Sequence, residues 1–508
     1  MNTKELNLLI EQVKKGGSEK YHQKNTQKGK LFCRERIELL IDKNSFVEDG
    51  LMANCLEESL PADGVVTGFG KIAGRKIAII ANDSTVKAGS WGWRTVEKMI
   101  RLVEQAAKIK VPIFYLVDSA GARITDQLEM FPGRRGAGKI FNLQCKLSGV
   151  VPQICVLFGP SAAGGAYIPA FCDCLIMVKE NSSMYLGSPR MAEMVIGEKV
   201  TLDEMGGAEM HCRVSGVGDV LAEDEKEAVE LAKKYISYFP NSFNNDVPEE
   251  KSVNPKNKLN LDEILPASQN RSYDMNKVID GIVDNDSFYS MKQYFAAEMI
   301  TGMARIDGKV VGIIANQPKI KGGVLYVDTA DKAARFINLM NAYNIPLLFL
   351  ADVPGFMIGT KVERAGIIRH GAKFVYSMSN ATVPKICVVI RKAYGAGLYA
   401  MCGPAFDPDC TIALNSSKIA VMGPDPAVNA VYFNKIAAFE NEEEKAKFIS
   451  EKKAEYEKDI NIKRLASELV IDVLTTGDRL RQELSIRFDM YSSKDVAYFP
   501  RKTGINPV

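Results

Sequence analysis

The chain has 508 residues, of which 46% are hydrophobic and 25% are charged. This composition is typical of a globular protein with more than one core, and a formal charge of +3 is too small to predict nucleic-acid binding. The sequence contains no apolar run of the ~18 residues that a membrane helix needs, and its polar N-terminus lacks a signal-peptide core. We therefore expect a cytoplasmic protein.

Cysteine and histidine usage restricts the chemistry further. The ten cysteines are scattered without a C-x-x-C pair, which argues against structural zinc and predicts reduced, buried thiols. Only three histidines occur (His22, His211 and His370), so chemistry that needs pairs of histidines is disfavoured. We expect no metal in this chain.

The first half of the chain predicts an α/β domain. Residues 1–30, rich in Lys and Gln, predict an exposed helix followed by a loop, and an amphipathic helix begins near Arg34. Residues 64–82 predict a β-hairpin with a glycine-containing turn. In chain order there follow a predicted helix at 95–108, strands at 112–118 and 151–157, a strand at 174–178 and a closing helix near 224–238.

The second half repeats this order after a polar linker at 244–260. The second hairpin ends at Asn316 as the first ends at Asn82, a displacement of about 234 residues that is kept along the repeat. Such a long period predicts two homologous α/β domains in tandem, which we place at residues 1–250 and 251–508. The Glu- and Lys-rich residues 439–458 predict a solvated helical excursion.

Two glycine-rich turns stand at matching places in the repeat. Residues 158–167 (FGPSAAGGAY) and 390–399 (IRKAYGAGLY) each follow a strongly apolar strand and each open an alanine-rich segment suited to a helix. Backbone N–H groups at such a strand-to-helix turn point outward at the positive end of the helix dipole. The pair therefore predicts two anion or oxyanion pockets. The loops 118–123 and 352–359 end neighbouring strands, where open α/β folds bind ligands.

Other catalytic motifs fit poorly. Residues 159–163 nearly match the G-x-S-x-G nucleophile elbow, but Ala163 replaces its closing glycine. The glycines of the first hairpin miss the dinucleotide-binding spacing, and neither a P-loop nor an H-E-x-x-H motif occurs. With no obvious acid, base or nucleophile between the turns, the pattern suits an enolate that reacts with a cofactor carrying its own base. One pocket would hold the thioester oxygen and the other a second carbonyl oxygen.

Four ordered motifs carry a family resemblance. Residues 117–123 (VDSAGAR), 161–167 (SAAGGAY), 352–356 (DVPGF) and 391–397 (RKAYGAG) resemble the carboxyltransferase (β) subunits of biotin-dependent acyl-CoA carboxylases. The propionyl-CoA and methylcrotonyl-CoA carboxylase branch is the nearest, and the resemblance extends from about residue 30 onward. It implies two crotonase-like (ClpP/crotonase) domains, the first on the acyl-CoA side and the second on the biotin side. It also implies a hexamer whose active sites form between the first domain of one subunit and the second domain of another.

The resemblance also implies roles for individual residues. The oxyanion hole for the acyl-CoA thioester would be lined by Ala163, Gly164 and Gly165. The hole for the biotin ureido carbonyl would be lined by Gly395, Ala396 and Gly397. The CoA would be bordered by Ala120, Gly121, Ala122 and Arg123, and the biotin by Gly355, Phe356, Met357 and Tyr399. In the family mechanism, carboxybiotin releases CO2, the biotin nitrogen removes the α or vinylogous γ proton, and the enolate attacks CO2.

Departures from the family narrow the expected substrate and partners. The zinc ribbon of bacterial acetyl-CoA carboxyltransferase is absent, and residues 398–403 lack the Asp that propionyl-type enzymes commonly carry. A larger or branched acyl group is therefore a hypothesis. The sequence has neither a biotin attachment motif nor an ATP-grasp glycine loop, so we expect separate biotin carboxylase and biotin carrier partners. The biotin would be attached to the carrier, and coenzyme A would enter as part of the substrate.

Three other functions stay open at this point. The α subunit of a sodium-pumping acyl-CoA decarboxylase would run the same transfer backwards with membrane subunits. A non-catalytic scaffold would bind CoA esters without turnover. Crotonase-type hydration is disfavoured because the glycine loops lack paired glutamates.

Overall fold

The computed structural model describes residues 1–266, 268–269, 271–496 and 498–507. It forms two compact units, Met1–Val247 and Pro248–Val508. The polar stretch 244–260 contains no helix or strand. The predicted assignment of one half to acyl-CoA and the other to biotin stays a prediction.

The first unit is an eight-stranded sheet covered by helices. Its strands are β1 (Val47–Asp49), β2 (Val65–Ile72), β3 (Arg75–Asn82), β4 (Ile113–Ser119), β5 (Gln153–Ala162), β6 (Cys174–Val178), β7 (Ser183–Tyr185) and β8 (Val220–Ala222). Its helices are α1 (Thr3–Lys14), α2 (Glu19–Gln27), α3 (Cys33–Leu40), α4 (Trp93–Ile109), α5 (Gln127–Met130), α6 (Gly138–Leu147), α7 (Tyr167–Phe171), α8 (Pro189–Ile196), α9 (Leu202–Gly206), α10 (Ala208–Met210) and α11 (Glu225–Ile236). The strand order is β1-β2-β3-β4-β5-β6-β8, with β7 paired to β5.

The sequence explains why this sheet forms. Strands β2 and β3 are the predicted antiparallel hairpin, whereas β3, β4, β5 and β6 run parallel. All seven residues of β4 are buried, as expected for a parallel strand covered on both faces. Helix α4 packs on the sheet through a stripe at helical spacing that includes Val96, Met99, Ile100 and Val103.

The second unit repeats the design. Its strands are β9 (Tyr289–Met291), β10 (Met299–Ile306), β11 (Lys309–Asn316), β12 (Leu347–Val353), β13 (Lys385–Tyr394), β14 (Cys410–Leu414), β15 (Lys418–Ala420) and β16 (Val473–Thr475). Its helices are α12 (Leu261–Ile264), α13 (Asn276–Ile282), α14 (Val327–Ala342), α15 (Thr360–Arg364), α16 (Ile367–Asn380), α17 (Ala396–Ala400), α18 (Pro424–Val431), α19 (Phe433–Ala437), α20 (Glu442–Asp459), α21 (Ile462–Ser467) and α22 (Gly477–Met490). The strand order is β16-β14-β13-β12-β11-β10-β9, with β15 paired to β13.

The internal repeat predicted from the sequence is therefore present in three dimensions. Isolated parallel bridges join Trp91 to Ala122 in the first unit and Leu325 to Phe356 in the second, and both members are displaced by the predicted interval. Helix α20 has no buried residue, which agrees with the prediction of a solvated excursion.

Two local predictions were wrong. Residues 1–30 form two helices, α1 and α2, rather than one helix and a loop. The helices that follow the glycine turns, α7 and α17, have only five residues each, so they supply little of the dipole that the sequence suggested. Within the described ranges, no helix is both long enough and apolar enough to span a membrane.

Candidate functional site

The central strand of the first unit changes partner just before its glycine turn. Strand β5 pairs with β6 over Ile154–Leu157 and then with β7 over Pro160–Ala162. Between Val117 and Ser119 of β4, the register against β5 shifts by an irregularity in the pairing. The bend carries the end of β5 away from β6, and the turn 163–166 begins there.

The second unit bends at the equivalent point. Strand β13 pairs first with β14 and then with β15, and its register against β12 shifts between Ala351 and Val353. The turn at Gly395 follows this bend. Both predicted oxyanion turns therefore leave the sheet at the same position of the repeated fold.

The first turn exposes two of its three predicted residues. Ala163 and Gly164 are exposed, whereas Gly165 is buried. Ser161 Oγ donates a 3.0 Å hydrogen bond to the carbonyl oxygen of Gly165, which fixes the turn against the strand. Ala163 has φ +51°, a left-handed conformation that costs an L-residue of the order of 1–3 kcal/mol.

The second turn uses glycine at the corresponding strained position. Gly395 has φ +55° and ψ −141°, and its N–H donates to the carbonyl oxygen of Ala420 at 3.0 Å. The N–H groups of Ala396 and Gly397 open helix α17 and have no partner inside it. Of the three residues predicted here, Ala396 and Gly397 therefore offer the donors, and Gly395 shapes the turn.

A close backbone approach explains the buried Gly397. A Cβ added to it would lie 2.8 Å from Val353 Cγ2 and 3.0 Å from Gly355 Cα. The predicted biotin-side loop therefore touches the second turn. Leu325 holds this loop by donating to the Gly355 carbonyl oxygen at 3.1 Å and accepting from Met357 N at 2.8 Å.

Of the other residues predicted on the biotin side, Phe356 packs inside the second unit, whereas Met357 and Tyr399 are partly exposed. The ring of Phe356 packs over Gly371 of α16, where an added Cβ would lie 3.1 Å from Phe356 Cε1. Met357 and Tyr399 are 38% and 48% exposed, so both side chains are available to a ligand. The ring of Tyr399 lies 5.4 Å from that of Phe406.

In the first unit the loop Ala120–Arg123 is held in the same way. Trp91 N donates to the Gly121 carbonyl oxygen, and Arg123 N donates to that of Trp91, both at 2.9 Å. The Arg123 guanidinium donates to Ser90 Oγ at 3.0 Å and to the Ser90 carbonyl oxygen at 2.9 Å. Its side chain is thus engaged within the fold, while Ala120 lines an open cavity beside it.

That cavity is the main feature that the motifs did not predict. It has a volume of about 920 Å³, and the segment from Gln12 to Lys30, which contains the end of α1 and most of α2, supplies most of its walls together with the loop after β3. Five lysines line it: Lys15, Lys24, Lys28, Lys30 and Lys87. Such a concentration of positive charge in a concave site attracts polyanions, above all ligands with several phosphate groups. The spacing of the lysines in residues 15–30 could have indicated this cavity. The sequence analysis interpreted those residues only as an exposed helix and a loop.

Side-chain hydrogen bonds and an ion pair attach this basic wall to the rest of the unit. Gly17 N donates to Thr85 Oγ at 2.9 Å, and Asn25 Nδ2 donates to Ser84 Oγ at 3.1 Å. At the base of the cavity, Lys30 Nζ lies 2.6 Å from the buried carboxylate of Asp118. The cavity is therefore tied directly to the end of β4, where the Ala120 loop starts.

Comparison with known proteins identifies the family of this chain. The carboxyl transferase domain family matches residues 24–505. The chain is 60% identical over 506 residues to an uncharacterised carboxylase, YngE, of Bacillus subtilis (strain 168), covering 99% of each chain. It is 38% identical over 512 residues to the methylmalonyl-CoA decarboxylase subunit alpha of Veillonella parvula, covering 98% of this chain and 97% of that one.

A solved structure gives the same result for the fold. The hexameric transcarboxylase 12S, with methylmalonyl-coenzyme A and methylmalonic acid bound, superimposes with a TM-score of 0.92 at 38% identity. The match covers 99% of this chain and 98% of that one. The predicted fold class, two homologous crotonase-like α/β domains in tandem, is thus confirmed. The chain belongs to the carboxyl transferase domain family, the family of the β subunits of acyl-CoA carboxylases that its four motifs resemble.

Proposed function

We propose that this protein is the carboxyltransferase subunit of a biotin-dependent acyl-CoA carboxylase. It transfers CO2 from carboxybiotin on a carrier protein to the α (or vinylogous γ) carbon of an acyl-CoA. The observation that carries the proposal is the pair of small-residue turns at equivalent bends of β5 and β13, with a lysine-lined cavity beside the first.

The first turn would stabilise the reacting acyl group. Backbone N–H groups around the exposed Gly164 bind the thioester oxygen, which gains negative charge as the α proton leaves. Removing one such donor typically costs about 3 kcal/mol of transition-state stabilisation. Ala163 holds the turn in its strained conformation, so the donors are oriented before the substrate arrives.

The second turn would receive the ureido carbonyl of biotin. Ala396 is exposed at its apex, and the half-exposed Tyr399 and the loop residue Met357 offer apolar surface to a ring of that size. Biotin, when bound, supplies the CO2 and a basic nitrogen, which agrees with the absence of an obvious protein base in the sequence. The N–H groups of Ala396 and Gly397 would hold the ureido oxygen.

The lysine-lined cavity would bind the coenzyme A part of the substrate. Coenzyme A carries a diphosphate and a 3′-phosphate. Lys30 is already paired with Asp118, and the other four lysines, Lys15, Lys24, Lys28 and Lys87, would balance those charges. Ala120 lies at the end of the cavity that reaches the Ala120–Arg123 loop, as the resemblance implies for the CoA border. Arg123 supports this loop through Ser90.

A homohexamer would complete the site. Helix α8 and the segment around α18, which follow the two turns in their respective units, both expose large apolar side chains. Met194, Val195 and Ile196 are 77%, 70% and 70% exposed, and Val421 and Phe433 are 78% and 70% exposed. Apolar patches of this kind mark protein interfaces. The first-unit turn of one subunit would then face the second-unit turn of another.

A reverse-transfer assay tests the proposal with the purified chain alone. Free biotin replaces the carrier, and the loss of malonyl-CoA or methylmalonyl-CoA to acetyl-CoA or propionyl-CoA is followed by chromatography. Biotin-dependent turnover supports the carboxyltransferase. Normal binding of CoA esters without any turnover would instead support a scaffold, and hydration of crotonyl-CoA without biotin would support a hydratase.

The direction of transfer is the second point to settle. The alternative is a decarboxylase α subunit, which is what the Veillonella parvula relative is named, and which would run the reaction backwards in a sodium-pumping complex. Affinity purification from the native host separates the two functions. An ATP-dependent biotin carboxylase and a biotin carrier as partners support the carboxylase, and an integral membrane partner supports the decarboxylase. A panel of acetyl-, propionyl-, butyryl-, methylcrotonyl- and glutaconyl-CoA with those partners identifies the acyl group.

A further inference from the structure

A buried cluster around the carboxylate of Asp352 lies at the base of the second glycine turn. Asp352 is the penultimate residue of β12 and is fully buried. Arg391, on the adjacent strand β13, donates from Nε to Asp352 Oδ2 at 3.0 Å. Its guanidinium lies over the ring of Tyr273, with Arg391 Cζ 4.9 Å from the ring centre. We propose that Tyr273 is a positioning residue for the second turn, and that its hydroxyl donates to the other oxygen of Asp352 when the turn holds biotin.

Two polar atoms of this cluster have no hydrogen-bond partner within the part of the chain that the structure describes. They are the hydroxyl oxygen of Tyr273 and Oδ1 of Asp352, and both atoms are buried. Burial raises the pKa of the Tyr273 hydroxyl, and the negative charge of Asp352 raises it further, so the two side chains interact. A phenol donates and a carboxylate oxygen accepts, and leaving both buried without a partner costs free energy. A small movement that joins the two atoms would therefore be favourable.

The cluster lies where β12 and β13 leave the regular sheet. Between Ala351 and Val353 the register of β12 against β13 shifts, so that Asp352 alone faces residues 390–392. The ion pair between Asp352 and Arg391 crosses this irregularity. The position of the Asp352 carboxylate therefore helps to set the direction in which β13 enters the turn.

The chain just before Tyr273 also contacts the end of β13. Arg391 Nη1 donates to the Arg271 carbonyl oxygen at 2.7 Å, and the Tyr394 hydroxyl donates to Gln269 Oε1 at 3.2 Å. Tyr394 is the last residue of β13 and directly precedes the turn. A movement of this chain toward β12 would therefore be transmitted to the turn.

The strand that carries Asp352 contacts the turn from the other side. A Cβ on Gly397 would lie 2.8 Å from Cγ2 of Val353, the neighbour of Asp352. A shift of Asp352 would thus reach the N–H groups of Ala396 and Gly397, which are proposed to hold the ureido oxygen. Hydrogen bonds that serve catalysis are often loose in the free protein and tighten in the bound state. The role of Tyr273 rests on the proposed function, which brings biotin to this turn.

The first unit shows that the repeated fold does not require an unpaired oxygen here. The equivalent Asp118 forms ion pairs with two cations, Lys30 and Arg36. Neither of its carboxylate oxygens is buried without a partner in the described part of the chain. In the second unit, Arg391 pairs with one oxygen of Asp352, and the neutral hydroxyl of Tyr273 remains for the other. A hydrogen bond that forms only with the ligand accounts for this difference.

The reverse-transfer assay with free biotin tests the proposal through Tyr273→Phe. This variant loses the hydroxyl and keeps the ring against Arg391. We expect its KM for free biotin to rise roughly tenfold, while its KM for acyl-CoA changes by less than about twofold. An unchanged KM for biotin, or equal increases of both KM values, would overturn the proposal.

Thermal unfolding without biotin separates this role from a structural one. Because the hydroxyl of Tyr273 makes no hydrogen bond in the free protein, Tyr273→Phe should leave the Tm unchanged or slightly raised. A clearly lowered Tm would show that the hydroxyl is already bonded before biotin binds, and would overturn the ligand-dependent step. Tyr289→Phe is the matched control, because Tyr289 is a buried tyrosine of the edge strand β9, three strands from β12. Its KM for biotin should equal that of the wild type.

An Asp352→Asn background tests whether Tyr273 acts through Asp352. A neutral amide oxygen is a weaker acceptor than a carboxylate, so Tyr273→Phe should then raise the KM for biotin only roughly threefold. A tenfold increase in both backgrounds would show that Tyr273 acts without Asp352 and would overturn the proposal. If the wild type transfers no CO2, the proposed function fails. The affinity for biotin measured by calorimetry then tests the positioning role by the same ratios.

Discussion

Asp118 and Asp352 end equivalent strands of the two units, yet their pKa values shift in opposite directions. Burial raises the pKa of both carboxyl groups. At Asp118, the nearby charges of Arg36 and Lys30 outweigh burial, so its pKa falls below the ordinary value. At Asp352, burial outweighs the charges of Arg391 and Lys392, so its pKa lies above the ordinary value. The difference lies in where the counter-ions come from.

In the first unit, Asp118 pairs with two cations that are distant in sequence, Lys30 and Arg36. In the second unit, Asp352 pairs with Arg391 of the adjacent strand β13. Arg36 lies 3.1 Å from Asp118 and also forms two short hydrogen bonds to Glu225. Asp352 is bound by Arg391 Nε at 3.0 Å. Gly159 stands at the position of Arg391 in the first unit, and a Cβ there would lie 1.9 Å from Asp118 Oδ1. The space that Arg391 uses in one unit is taken by Lys30 in the other.

Asp118→Asn should destabilise the protein more than Asp352→Asn at pH 7. Removing one member of a buried ion pair leaves its partner uncompensated, which typically costs about 3–5 kcal/mol. Because the folded pKa of Asp118 is lowered, its charge stabilises the fold above the unfolded pKa of about 3.9. This contribution is lost as pH falls through the folded pKa. The folded pKa of Asp352 is raised, so the stability that its carboxyl group contributes is present below the unfolded pKa and is lost as pH rises through the folded pKa. At pH 7, Asp352→Asn should therefore lower the free energy of unfolding less than Asp118→Asn.

Thermal unfolding of the two variants and the wild type between pH 3 and pH 7 measures this difference. The gap between wild type and Asp118→Asn should be largest at pH 7 and should narrow at the acidic end. A gap that widens on acidification, or equal losses for the two variants, would contradict the assignment of the charges.

Gly395→Ala and Ala163→Gly should have unequal effects on stability. Gly395 has φ +55° and ψ −141°, a region that disfavours any side chain, and an added Cβ would lie 3.0 Å from the Val421 carbonyl oxygen. We expect a loss of about 1–3 kcal/mol. Ala163→Gly relieves a left-handed strain but adds backbone entropy to the unfolded state, so these effects nearly cancel. A large loss of unfolding free energy in Ala163→Gly, measured by urea denaturation, would refute this.

Gly164→Ala should lower activity with little change in stability, whereas Gly397→Ala should lower both. Within 4 Å of a Cβ on Gly164 lies no atom of the described residues outside its own chain neighbours, so the folded state tolerates the change. The added methyl group would occupy space proposed for the thioester oxygen, and we expect reverse CO2 transfer to fall roughly a hundredfold with little change in stability. At Gly397 the contact with Gly355 should lower stability by about 1–3 kcal/mol as well. Near wild-type transfer by both variants would end the two-pocket proposal.

The parts of the fold that the sequence predicted are those set by local pattern. The apolar run of β4, the helical stripe of α4 and the glycine turn of the first hairpin each indicate one structure by themselves. The short length of α17 was also visible in principle, since the Gly403–Pro404 pair that follows it does not continue a helix. The helix-forming residues before that pair outweighed this signal.

The parts that escaped prediction depend on residues far apart in sequence. Nothing local to Lys30 indicates that its ammonium will lie against Asp118, 88 residues away, since a lysine near a glycine is an ordinary surface pattern. The lysine-lined cavity depends on how the segment from Gln12 to Lys30 packs against the loop after β3. The glycine motifs located both turns, but only the backbone geometry shows that Gly395 donates within the sheet. The oxyanion roles of Ala163, Gly164, Gly165, Ala396 and Gly397 stay predictions.

Charge removal in the lysine-lined cavity should weaken acyl-CoA binding with little effect on kcat. Lys24→Gln and Lys28→Gln each remove one positive charge facing the proposed phosphates, and we expect the KM for acyl-CoA to rise roughly fivefold for each. Lys20→Gln is the matched control, because Lys20 is an exposed residue of α2, the helix that carries Lys24, and does not line the cavity. The KM effect should shrink at high salt, since exposed charges are screened beyond about 10 Å at 0.1 M ionic strength. A dephospho-CoA ester, which lacks the 3′-phosphate, should bind more weakly to the wild type and lose less in the variants. If Lys20→Gln raises the KM as much as the other two, α2 and the lysines beside it attract substrate by their overall charge, and the cavity is not the CoA site.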